Sequence, residues 1–294
     1  MRSGELGTTQ KVIRNLDVWV AFFPHVANYY ILRHSCLVEF IPTIAAIAVL
    51  VGFLVGLTGV GAGALMTPIL IVGFGISAPT AIATDLLYAA ITKTVGGLAH
   101  MRSGHIQWKL LQPLWLGGIA GAIAGSLVIV FVVRSGDTFE WLKYPLAALI
   151  ALAAATLFHR HLSSTPVFGD TRRPDAGRVV AVAGGAGIGL GVSLTSVGAG
   201  ALGMALLSRL SPAGTPAQKL VGTDLMLAIP IALVASVTYL VTGIVDFSLL
   251  LSLLAGSLPG VVVGSALSAK VPSKALGLIV ASALTLAVVA LLVD

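Results

Sequence analysis

The chain of 294 residues is 57% hydrophobic and only 10% charged, whereas soluble domains are about one-quarter charged. That balance excludes an ordinary soluble domain, and it makes the net charge of +6 a matter of basic loops that orient a membrane protein, not of nucleic-acid binding. The single cysteine, Cys36, excludes an intramolecular disulfide and a multi-cysteine metal site.

Residues 1–40 lack the pattern of a secretory signal peptide. Within them, 18–32 (VWVAFFPHVANYYIL) is aromatic-rich, carries Pro24, His25 and Asn28, and is short for a span, so it reads as an interfacial helix, with a membrane span as the alternative. The first membrane region is expected over 41–158, with spans at 41–57, 64–76, 78–99, 110–133 and 144–158. A basic linker, 159–178, follows with Arg160, Arg172, Arg173 and Arg178. The second region covers 179–294, with spans at 179–194, 201–210, 217–242, 248–269 and 274–293.

The two regions repeat one another. Residues 57–65 (LTGVGAGAL) return as 194–202 (LTSVGAGAL), at an offset of 137. Thr84-Asp85-Leu86 returns as Thr223-Asp224-Leu225 at an offset of 139. Gly117, Gly121 and Gly125 return as Gly256, Gly260 and Gly264 at that same offset. Duplication in an apolar chain is characteristic of secondary transporters, whose sites lie where the repeats meet.

The stretch 41–76 would run about 54 Å as a single helix, too long for one crossing of about 30 Å of hydrocarbon. Gly59-Val60-Gly61-Ala62-Gly63 is where it is expected to break, and Gly198-Ala199-Gly200 breaks the second copy. Five segments per repeat, an odd number, turn the second repeat upside down. Under that scheme Arg102, Lys109, Arg160, Arg172, Arg173, Arg178, Arg209, Lys219, Lys270 and Lys274 fall on one face, which the positive-inside rule makes cytoplasmic. The expected fold is therefore an all-α polytopic membrane protein of two inverted-topology repeats, each with a glycine-broken helix.

Helices that begin inside the membrane present unpaired N–H groups and a partial positive charge, which suits an anion. The candidate substrate-binding residues are Thr58, Gly59, Gly61, Ala62 and Gly63 at the first break, and Thr195, Ser196, Gly198, Ala199 and Gly200 at the second. Lys93, an intramembrane cation whose counterpart is Ala232, is expected near Asp85 or Asp224, adding positive potential. Asp85 and Asp224, with Thr84 and Thr223, are read either as ion-coupling groups or as structural caps near a helix start. His100 and His105 read as solvated groups at a helix end, with a proton relay as the rarer alternative. Pro68 and Pro230 read as bends, and the two glycine stripes as close helix packing.

These residues resemble the sulfite exporter TauE/SafE family. The likeness spans about 41–293 and rests on GLTGVGAGALMTPIL (56–70), ATDLLYAAITKTVG (83–96), VGTDLMLAIP (221–230), GIVDF (243–247) and GSLPGVVVGS (256–265). The family's first motif is richer in glycine, where this chain has Ala62, and the second copy has Ser196 in place of Gly59. The resemblance implies a duplicated membrane fold that moves small sulfur oxyanions or organosulfonates, usually outward, across a bacterial inner membrane.

The expected function is thus a secondary transporter exporting sulfite or a related anion, its partners being that anion and the lipid bilayer, with proton or ion coupling and with a homodimer as one assembly. No cofactor, metal or nucleic acid is expected, and no Walker motif is present. Import of organosulfonates on the same fold is the alternative. An anion channel and an intramembrane aspartyl protease are remote rivals, the latter because neither aspartate lies in a Gly-x-Gly-Asp sequence.

Overall fold

The computed structural model describes residues 41–58, 63–135, 143–162, 174–198, 200–212, 214–267 and 273–293. The interfacial helix expected at 18–32, much of the linker 159–178, and Gly59, Gly61, Ala62 and Ala199 of the breaks lie outside them. The described residues are helical, without strands. The elements are α1 (Pro42–Thr58), α2 (Gly63–Pro68), α3 (Ala78–Arg102), α4 (Trp108–Ser135), α5 (Lys143–Leu162), α6 (Pro174–Thr195), α7 (Ala201–Leu210), α8 (Ala217–Val241), α9 (Phe247–Leu267) and α10 (Ser273–Val293).

The expected spans correspond to these helices one for one, with ends that move by a few residues. Four of them are long and apolar enough to cross a membrane: Trp108–Val132, Gly177–Thr195, Gln218–Val241 and Phe247–Gly264. Large apolar side chains line the outside, with Leu116, Phe131, Val179 and Leu286 each at least 70% exposed. In water such a surface would drive aggregation; in hydrocarbon it is the solvated face. The molecule is a multi-pass membrane protein.

Pro68 does more than bend its helix. A proline inside a helix removes one N–H and crowds the preceding turn, and from Ile69 to Gly73 the backbone widens into a π-helical turn. The widened segment ends at Gly75, whose φ of +63° lets the chain turn back while Gly75 N–H donates to Ile71 O and Ile76 N–H to Leu70 O.

The strongest packing is between helices of different halves: α4 lies on α6, α9 on α1, α8 on α3 and α10 on α5. The first two pairs are glycine-lined. A Cβ at Gly117, Gly121 or Gly125 would collide with Val182 O, Ala186 O and Ser193 Oγ, and one at Gly256, Gly260 or Gly264 with Ala45 O, Val49 O and Phe53 O. Each step of four along one helix advances the contact by about one turn along the other, so these pairs run parallel at backbone distance. The stripes are packing surfaces, as their spacing led one to expect. In the α3–α8 pair the register reverses. Gly97 meets Met226 and Ile229, while His100, further along α3, meets Gly222. These two helices are antiparallel.

Helix α6 contains its own control. A Cβ at Gly189 would strike Gly118 O and the backbone of Ala122, whereas Gly187 faces open space. Gly189→Ala should destabilise by about 1–3 kcal/mol through overpacking, and Gly187→Ala should be neutral or slightly stabilising, because alanine is the better helix former. Thermal unfolding of the two variants in detergent checks this directly.

Candidate functional site

The breaks in the two repeats come together. Gly63, the first residue of α2, packs so closely on Ser196 that a side chain there would meet Ser196 O, Ser196 Oγ and Asp85 Oδ2. The second break ends at Ala201, the start of α7. There Leu202 N–H and Gly203 N–H both turn back to Gly198 O, and Met204 N–H to Gly200 O. Gly198 holds φ at +118°, a conformation open to glycine and costly to other residues.

Asp85 is the centre of this junction. It lies two turns into α3, fully buried, and its Oδ2 accepts hydrogen bonds from Thr67 Oγ1 and Ser196 Oγ, both at 2.7 Å. One donor belongs to the half-helix of the first repeat and the other to the break of the second. This is not the helix-start cap that its sequence position had suggested, because its partners are side chains from other elements. Ser196 is held at φ +60°, in the left-handed region that glycine favours and that costs other residues about 1 kcal/mol. Its repeat counterpart is Gly59. The hydroxyl bond to a buried carboxylate is the interaction that offsets that cost.

Asp224 has the equivalent place in the second repeat and a different environment. It is 6% exposed, eighth in α8 and again no cap. Its Oδ1 presses on Gly203 of α7 and has no hydrogen-bond partner. The reason is legible in the repeat. The counterparts of Thr67 and Ser196 are Met204 and Gly59, neither of which has a hydroxyl to donate.

Lys93 sits on the face of α3 that packs against α8, one turn before Gly97. Lys93 is half-buried, and no ion pair within 4.0 Å joins it to either aspartate among the described residues. Among those residues it is the cation within electrostatic reach of both buried carboxylates.

Thr84 and Thr223 play a reciprocal part. Thr84 Oγ1 accepts from Asp246 N–H at 3.0 Å, and Thr223 Oγ1 accepts from Gln107 N–H at 3.0 Å. Each therefore ties down the loop entering the next-to-last helix of the opposite repeat. The offset of 139 relates the two bonds atom for atom. The Thr-Asp pair thus splits its duties, the threonine joining the repeats and the aspartate facing the breaks.

Other expected residues are placed as follows. Thr195 is buried, and its hydroxyl donates to Gly191 O at 2.7 Å while accepting from Val197 N–H at 3.2 Å. It steadies the end of α6, with its only proton already committed. The Thr58 side chain lies outside the described residues. His100 and His105 stack with ring centroids 5.6 Å apart, and His100 touches Gly222, two residues from Asp224. No group of three or more metal-ligating side chains occurs among the described residues.

The bond that holds Ser196 in its unusual conformation gives a sign test. Ser196→Ala keeps the backbone strain, loses the hydroxyl and leaves a buried carboxylate short of a donor, a loss of about 1.5–3 kcal/mol. Ser196→Gly also loses the donor but relieves the strain, so it should be the milder change by about 1 kcal/mol. Thermal unfolding midpoints in the order parent, then glycine, then alanine are expected; alanine equal to or better than glycine would refute the strain account.

Comparison with known proteins identifies the family. The family model for the sulfite exporter TauE/SafE matches residues 44–291. The chain is similar to the probable membrane transporter protein YjnA of Bacillus subtilis (strain 168), at 34% identity over 250 residues, covering 82% of this chain and 95% of that protein. It is also similar to YdhB of that organism, another probable membrane transporter, at 27% identity over 226 residues, covering 74% of this chain and 85% of the relative. A shorter match, 40% over 97 residues, links it to the probable membrane transporter YunE, covering 30% of this chain and 36% of that one. No solved structure matches the chain. With its repeats joined at two glycine breaks and the family model running nearly its full membrane region, the chain belongs to the sulfite exporter TauE/SafE family of membrane transporters.

Proposed function

We propose that this protein is a secondary transporter that exports sulfite or a related small sulfur oxyanion or organosulfonate across a bacterial inner membrane by alternating access. The two halves are read as inverted repeats. Three features support that reading: the antiparallel contact of the equivalent helices α3 and α8, the exchange of partners between α4–α6 and α9–α1, and the mirrored threonine bonds. With an odd number of segments per repeat, the basic segment 159–178 belongs on the cytoplasmic side.

The observation that carries the proposal is the meeting of the two breaks at Gly63 and Ser196, with Lys93 two turns beyond Asp85 on the helix that reaches this junction. Broken backbone inside a membrane survives only where protein or a polar cavity satisfies it, and helix starts directed at such a junction attract an anion. Lys93 adds the one full positive charge on the face of α3 that packs against α8. The glycine-lined pairs α4–α6 and α9–α1 each join helices of the two repeats, so in this reading they move as two units about the junction.

Protease chemistry has no support in this geometry. An aspartyl dyad shares a proton between carboxyl groups in contact, and no hydrogen bond joins Asp85 to Asp224. Export follows the usual direction implied by the family; import of the same anions would use the same site.

The test is anion flux in proteoliposomes reconstituted with the full-length protein, using sulfite, sulfate, isethionate and simple carboxylates. Saturable flux of a sulfur anion in the parent, reduced at least about tenfold in Lys93→Ala, is expected for loss of a charge-assisted contact. Flux of carboxylates alone would replace the substrate class, and flux that never saturates would indicate a channel.

A further inference from the structure

The charge count at the junction does not suit an anion. With Asp85, Asp224 and Lys93 all ionised, the site carries one net negative charge and would repel the ligand it is proposed to bind. Binding an anion near Lys93 requires that one carboxylate become neutral, since uncompensated like charges in a low-dielectric interior are costly.

The two aspartates are unequal candidates. Asp85 accepts two hydroxyl donors, from Thr67 and Ser196, and such donors favour the ionised carboxylate. Each aspartate has a buried Oδ1 without a partner, but Asp224, 6% exposed, receives no hydrogen bond on its other oxygen among the described residues, and its Oδ1 is sealed against Gly203. Among the described residues the cation that reaches it is Lys93, the group the anion would claim. Asp224 and the anion therefore compete for one cation.

We propose that Asp224 is the proton carrier of this transporter: with the site empty its carboxylate is balanced by Lys93, and when an anion takes Lys93 it binds one proton. The step balances as carboxylate plus proton giving carboxylic acid, with the ammonium group passing from Asp224 to the anion and keeping its own charge. Anion and proton then cross together, so a monovalent anion moves without net charge. Export proceeds where the outward anion gradient exceeds the inward pull on the proton.

Other ionisable side chains lie on the elements packed against α8. Helix α3 contributes Lys93, Asp85, Tyr88, Arg102 in its last turn, and His100, which lies beside Gly222 and is stacked on His105. Helix α4 has Lys109 in its first turn, α6 has Arg178 in its first turns, and α7 has Arg209 near its end. His100 is the competing acceptor, because its Nδ1 is buried without a partner.

The inference rests on the proposed anion function, and calorimetry separates the two. Isethionate or sulfate is titrated into the full-length protein in detergent, in buffers of different ionisation enthalpy; neither anion takes up a proton near neutral pH, as sulfite would. The parent should take up about one proton per anion bound, and affinity should fall about tenfold per pH unit above neutrality. Asp224→Asn should bind the anion with no proton uptake and little pH dependence, while His100→Gln keeps the uptake. Binding in the parent without proton uptake overturns the inference and leaves the anion function standing. Uptake that persists in Asp224→Asn, or disappears in His100→Gln, moves the proton elsewhere and also overturns it. Binding of neither anion overturns the anion function and the inference together. If Asp224→Asn does not fold, Asp224→Ser with the same expected readout replaces it, and the parent measurement decides alone whether coupling exists.

Discussion

Everything in this molecule depends on one constraint: hydrocarbon offers no hydrogen bonds, so backbone that leaves the helix inside a membrane must be satisfied by protein. The chain leaves the helix at two equivalent places, and the fold is arranged to bury those places against each other. Asp85 ties the two places together. It is reached by a hydroxyl from the first half-helix and by one from the second break, so a single carboxylate fixes elements of both repeats. The left-handed Ser196 is a small local cost retained for that contact.

Around this polar centre the scaffold is made rigid by glycine. Helices of opposite repeats approach to backbone distance at Gly117, Gly121 and Gly125 and again at Gly256, Gly260 and Gly264. Without a hydrophobic drive between helices in lipid, close van der Waals contact is what holds them together. The mirrored bonds of Thr84 and Thr223 add a polar tie at each end of the α3–α8 pair.

The duplication made most of the fold legible before any coordinates. Apolar run lengths located the helices, the glycine clusters located the breaks, and the period-four glycines identified the packing faces. Three things were hidden. The π-turn after Pro68 was read as a bend, because sequence alone does not say whether a proline kinks a helix or widens it. Asp85 and Asp224 were read as ion-coupling groups or as caps, and the cap alternative does not fit, because each is the eighth residue of its helix. The difference between the two aspartates was also missed, although Thr67 against Met204 and Ser196 against Gly59 mark it in the aligned repeats. A comparison of what the repeats do not share would have found it. The near identity of the motifs drew attention to symmetry, and the chemistry lies in the departures from it.

The measurement that bears most directly on the account is the position of a bound anion. Crystals grown with selenate, a heavier analogue of a sulfur oxyanion, would reveal it by anomalous scattering from selenium. The account predicts one strong peak between the two breaks, within hydrogen-bond reach of the backbone near Gly63 or Gly198 and on the Lys93 side of the junction. A peak confined to the basic loops, with nothing between the breaks at saturating selenate, would contradict it.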